Sequence, residues 1–135
     1  DSALFLWATG PRLDFAIRVL KHWGFRYVGV AFVWIKMTAN GSEHFGMGSY
    51  TRSNVEFVLL GLRGRMNRDS KSVRQIIRSG PEEIVSPLLE HSRKPAIVRD
   101  RIDQLYSPDK YPDRIELFAR DRSWTEWGNQ SKRGI

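Results

Sequence analysis

Apolar residues fall along this chain in distinct rhythms. Ala3–Ala8 is apolar without interruption and stops at Thr9, Gly10 and Pro11. An unbroken short run with turn residues behind it predicts a strand buried on both faces. Leu13, Ala16, Ile17, Leu20 and Trp23 follow at helical spacing, with Thr9 or Gly10 as cap, Pro11 in the first turn and Gly24 as the stop. Arg26–Lys36 then turns β-branched and aromatic, which predicts a second core strand. Strand, helix and strand joined by short turns is the signature of a βαβ unit. The fold class expected is α/β, a mostly parallel sheet flanked by helices.

The pattern breaks between Met37 and Tyr50, where glycines recur and no period holds. Long loops inside compact domains are often functional. Val55–Leu62 reads as strand again, and the polar, basic stretch Arg63–Arg74 reads as a mobile connection ahead of a short strand at Val73–Ile77. Pro95 is placed to open a helix whose Val98, Ile102, Leu105 and Tyr106 share one face. Ser107 and Pro108 end it, and a last strand is predicted over Ile115–Ala119. There is no internal repeat, so residues 1–135 are read as a single domain.

Composition changes this picture in three ways. A net charge of +7, from 22 Lys and Arg against 15 Asp and Glu, favours a polyanionic partner, although a generally basic surface gives the same balance. The absence of cysteine removes disulfides, thiolate metal sites and a cysteine nucleophile. His22, His44 and His91 lack metal-ligand spacing, and neither a phosphate-binding P-loop nor a dinucleotide glycine fingerprint is present. No apolar run reaches the roughly 18 residues of a membrane span.

Candidate binding residues cluster in two places. Lys94 stands just before a predicted helix start, where backbone N–H groups already favour an anion, though a solvated lysine near a turn looks the same. Arg120, Asp121 and Arg122 follow the predicted last strand, and ligands in parallel sheets bind beyond strand carboxyl ends. Asp121 can take ribose hydroxyls or pair with its arginine neighbours. Asn129 and Gln130 offer amide donors and acceptors or a turn cap. Trp124 and Trp127 can stack on a base or fill the core. Earlier in the chain, Tyr50, Arg52, Ser53 and Glu56 place an aromatic, a cation, a hydroxyl and a carboxylate close together, a set that suits a purine and a phosphate or an ordinary polar loop.

In order along nearly the whole chain, Leu4–Trp7, Trp23–Phe25, Val33–Lys36, Gly48–Ser53 with Glu56, Gly61–Gly64, His91–Pro95, Ile115–Arg120 and Trp127–Asn129 resemble adenine-N(6) methyltransferases. This is the family that includes the messenger-RNA methyladenosine writers and bacterial and phage DNA-modifying relatives. The resemblance implies a Rossmann-like methyltransferase fold, incomplete at the N-terminus, with S-adenosylmethionine as methyl donor. It implies that Lys94 lies near the cofactor's carboxylate. Arg120, Arg122, Asn129 and Gln130 would serve its ribose and adenosine, and Lys36, Tyr50, Arg52, Ser53 and Glu56 would lie on the target-base side. The partner implied is nucleic acid, DNA ahead of RNA, with a homo- or hetero-dimer in view. The location implied is intracellular, cytoplasmic in a bacterium or phage and nuclear in a eukaryote.

Two departures qualify this. The family's catalytic Asp-Pro-Pro-Trp signature, which precedes the strand matching Ala3–Ala8, is absent from the chain. No catalytic residue is therefore assigned, and the expectation is a fragment inactive alone that methylates once extended upstream. At Arg120–Trp124 the chain also lacks the basic pair and proline-glycine common in relatives, which weakens the ribose-side assignment. The alternative function is a non-catalytic nucleic-acid-binding subunit of such an enzyme, to which Arg63–Arg68 is equally suited.

Overall fold

A computed structural model describes residues 1–80, 94–117 and 124–127. Strand β1 (Ser2–Thr9) leads through one 3-10 turn, Gly10–Arg12, into helix α1 (Leu13–His22). The turn holds Pro11 where its missing N–H costs nothing. At the far end Gly24 takes a left-handed φ of 84°, and its N–H reaches the Lys21 carbonyl while the Phe25 N–H reaches that of Leu20. These two bonds satisfy carbonyls a helix end would otherwise leave open, and Phe25 packs into the same apolar cluster as Leu20.

Strands β2 (Arg26–Lys36), β3 (Val55–Arg63) and β4 (Ile76–Ser79) complete a four-stranded sheet in the order β1-β3-β2-β4. Here the expected mostly parallel sheet is met only in part. β2 and β4 are parallel, but β3 runs antiparallel between β1 and β2, so the two strands of the predicted βαβ unit are not neighbours. The cause is hydrophobicity. Val58 and Leu59 on β3 are fully buried and face opposite sides, which suits a central position better than an edge.

The alternation of strand residues sorts the core into two layers. Leu4, Leu6, Ala8, Phe57 and Leu59 meet Leu13, Ala16, Ile17 and Leu20 of α1 on one face. Gly61 lets the helix sit close, since a Cβ there would lie 2.9 Å from Leu20. Phe5, Trp7, Phe32, Trp34, Val58 and Ile77 meet Val98 and Ile102 of helix α2 (Ile97–Leu105) on the other face. Tyr106 is buried just beyond α2, as its spacing predicts, whereas Trp23 is half-exposed at the end of α1 rather than in the core.

A small parallel pair, β5 (Ile115–Leu117) and β6 (Thr125–Trp127), lies beside α2. Arg99 bonds Glu116 at 3.1 Å, and Arg114 pairs with Asp103 and covers the Trp124 ring at 5.3 Å. Trp124 packs against the α2-side core, the bland of its two readings. The connection after β3 is tied down rather than mobile. Asp69 accepts the Ser107 N–H at 2.7 Å and pairs with Lys110 at 3.0 Å, and the Tyr111 hydroxyl donates to the Asn67 carbonyl. Its closing strand, β4, begins at Ile76, three residues later than predicted.

Candidate functional site

β1, β2 and β4 all end at one edge of the sheet, where β3 begins. On the α2 face of that edge, period-two alternation aligns Trp7 of β1, Trp34 and Lys36 of β2, and Glu56 of β3. Lys94, three residues ahead of α2, reaches into the same place. Glu56 is 7% exposed and both its carboxylate oxygens are engaged: Oε1 takes the Lys36 ammonium at 2.7 Å and Oε2 takes the Lys94 ammonium.

Among the described residues, two ammonium groups against one carboxylate leave the cluster a positive charge in excess. Burial by itself would raise the Glu56 carboxyl, but hydrogen bonds and charge from Lys36 and Lys94 outweigh it and hold the carboxyl below its ordinary value. Glu56 is therefore a fixed anion at neutral pH, a group that positions two lysines rather than one that carries a proton.

The walls are aromatic. Lys94 Nζ lies 5.1 Å from the Trp7 ring centre and 5.8 Å from that of Trp34, and Lys36 Nζ lies 5.1 Å from Trp34. The two indoles meet edge to face at 6.0 Å, and the Trp34 N–H donates to the Ser79 carbonyl at 3.0 Å, which fixes the ring. Each lysine side chain keeps about a third of its surface open, so an incoming anion can share ammonium protons that Glu56 does not use.

Of the residues singled out from sequence, Lys36, Glu56 and Lys94 come together here. Lys94 faces the sheet and Glu56 rather than the open start of α2. Tyr50, Arg52 and Ser53 do not join them; all three are exposed on the β2–β3 loop. Arg120, Arg122, Asn129 and Gln130 lie outside the described residues. Trp7 and Trp34 were not among the candidate site residues, yet their alternation with Phe5 and Lys36 on the strands is a legible signal. Among the described residues no cluster of metal-ligating side chains occurs, and no helix is long and apolar enough to cross a membrane.

Fold and site together define an α/β domain with a charged, aromatic-walled cluster where β1, β2 and β4 end. The chain belongs to the MT-A70 family, whose model matches residues 1–130. It is 38% identical to the Type II methyltransferase M.MunI from Mycoplasma sp over 95% of its own length and 50% of that protein's. It is 29% identical to the N6-methyladenosine RNA methyltransferase MTA1 of Cryphonectria parasitica, over 90% of its own length and 32% of the relative's. The chain thus spans half or less of the relatives it matches. The family carries with it the Rossmann-like methyltransferase fold expected from the motifs, here with the antiparallel β3 set into the sheet.

Proposed function

We propose that this chain supplies the cofactor-facing part of an S-adenosylmethionine-dependent methyltransferase acting on the N6 amine of adenine in nucleic acid, with DNA as the preferred substrate. The observation that carries the reading is the Lys36–Glu56–Lys94 cluster at the carboxyl edge of the sheet. Its excess positive charge and open ammonium protons fit the carboxylate of the cofactor's amino-acid end. The preference for DNA leans on the lower identity to MTA1, the relative whose name states an RNA substrate.

In this reading Lys94 holds that carboxylate and Glu56 keeps Lys94 and Lys36 in place. Arg120, Arg122, Asn129 and Gln130 take the ribose and adenine, and Tyr50, Arg52 and Ser53 with Lys36 and Glu56 border the target base. Bound there, the cofactor supplies an electrophilic methyl group. Methyl transfer would form the N–C bond as the sulfonium S–C bond breaks, releasing S-adenosylhomocysteine and passing the amine proton to solvent. The protein's share is positioning and charge, which account for much of the acceleration in transfers of this kind.

The test uses the full-length protein with adenine-containing DNA and RNA oligonucleotides, and nucleoside mass spectrometry for N6-methyladenine. Product on DNA in excess of RNA is expected. Lys94→Ala should weaken S-adenosylhomocysteine binding by about ten- to a hundredfold, the worth of one charge-assisted hydrogen bond. A second reading, a non-catalytic nucleic-acid-binding subunit that pairs with an active one, draws on the exposed Arg63, Arg65, Arg68, Lys71 and Arg74. It predicts no product and no cofactor affinity, with salt-sensitive nucleic-acid binding retained.

A further inference from the structure

The loop from Met37 to Asn54 is built in two parts. Its base is held: the Lys36 N–H donates to the Asn54 carbonyl at 2.9 Å, the His44 N–H to the Lys36 carbonyl at 2.8 Å, and the Thr38 N–H to the Ser42 carbonyl at 2.7 Å. Its tip is a doubled chain in which Gly46 and Gly48 run against the backbone of Thr51–Ser53. A Cβ on either glycine would overlap the Ser53 or Thr51 carbonyl oxygen.

From this braced tip three large apolar side chains are exposed in the described chain. Phe45 is 78% exposed, Met47 96% and Tyr50 fully so. Isolated exposed hydrophobics are ordinary. Three within six residues are not, on a loop that leaves β2 after Lys36 and re-enters β3 just before Glu56. The neighbouring exposed cation, Arg52, and the net charge of +7 favour a polyanion over the apolar surface of a protein.

We infer that Phe45 and Met47 form a wedge that enters the base stack of a duplex and fills the gap left when the target adenine swings out toward the Lys36–Glu56–Lys94 cluster, with Tyr50 bordering the extruded base. This deepens the proposed adenine methylation and rests on it. Enzymes acting on a duplex base must take it out of the stack, and apolar side chains inserted at a base step offset the lost stacking. The glycines at 46 and 48 let the tip stay narrow enough to enter.

The experiment compares wild-type full-length protein with a Phe45→Ala/Met47→Ala variant on two duplexes, one fully paired and one with an abasic site opposite the target adenine. The abasic partner already frees the adenine, so a wedge is dispensable there. On the paired duplex kcat/KM should fall by about tenfold or more, and on the abasic duplex by less than about threefold, as expected for a group that acts on unstacking alone. 2-Aminopurine at the target position should brighten with wild type and stay dim with the variant. Equal losses on both duplexes, or no loss on either, remove the wedge while leaving adenine methylation standing. A shift from dimer to monomer in sedimentation with unchanged kinetics assigns the tip to a subunit interface and overturns the proposal. Absence of N6-methyladenine with wild type on both duplexes takes down the parent reading and the wedge together.

Discussion

Lysine–carboxylate clusters sit at both ends of α2, built from the same functional groups and set to different work. At the amino end Glu56 is buried between Lys36 and Lys94, walled by Trp7 and Trp34, with one positive charge in excess. At the carboxyl end Asp69 lies in the open, paired with Lys110 and the Ser107 N–H, its charge balanced. Both carboxyls are held below their ordinary values. Glu56 stays low because its two lysines overcome burial; Asp69 stays low chiefly through the Ser107 N–H and Lys110. Burial decides what each is good for. In a largely buried site an unmatched charge acts more strongly on whatever enters, whereas in open water the same pair is screened and serves as a clip.

The comparison is easiest to break at the buried end. Glu56→Gln leaves two half-buried ammonium groups without their anion, and the loss of stability in urea unfolding should be on the order of 3 kcal/mol. A loss no larger than that of an ordinary surface substitution would mean that water already serves this cluster.

Acid sharpens the contrast. Because the Glu56 carboxyl is depressed in the folded chain, the stability it adds is fully present above its ordinary value of 4.5 and disappears as pH falls through the lower folded value. Urea midpoints of wild type and Glu56→Gln should therefore keep a constant gap above pH 4.5 and converge as the pH falls below it. A gap that stays constant below that value would contradict the lysine-held carboxylate.

The smallest effect is expected at the open end. Asp69→Ala should cost less stability than Glu56→Gln and be seen chiefly as faster amide exchange at Ser107, whose N–H loses its acceptor. Equal stability losses at the two ends would erase the distinction between them.

The sequence made the elements legible where periodicity was clean. β2, β3 and the buried face of α2 lie where the pattern puts them, because burial on one or two faces leaves a readable trace. Strand order was not legible. Nothing in the local pattern of Ser2–Thr9 and Arg26–Lys36 says that β3 will enter between them, since pairing is a contest among strands and goes to the segment that buries best on both sides. The site divided in the same way. Glu56 is legible beside a loop and Lys94 as the prelude to a helix, whereas Lys36 enters only through the family resemblance; the meeting of the three depends on that strand order. Trp7 and Trp34 looked like core, and they are; their outer edges become walls only because two lysines end beside them.

The placement of β3 also sets a timetable for synthesis. Within the described sheet β1 pairs with β3 alone, from Ser2 opposite Arg63 to Thr9 opposite Glu56. As the chain emerges from the ribosome, β1 and α1 are complete while the strand that must hold them is still unmade. Within the described sheet, Leu4, Leu6 and Leu20 wait for β3 until the whole glycine-rich loop has been translated. Slowing translation across Met37–Asn54, for instance by rare codons, should lengthen the time those side chains spend in chaperone hands without altering the native protein at all.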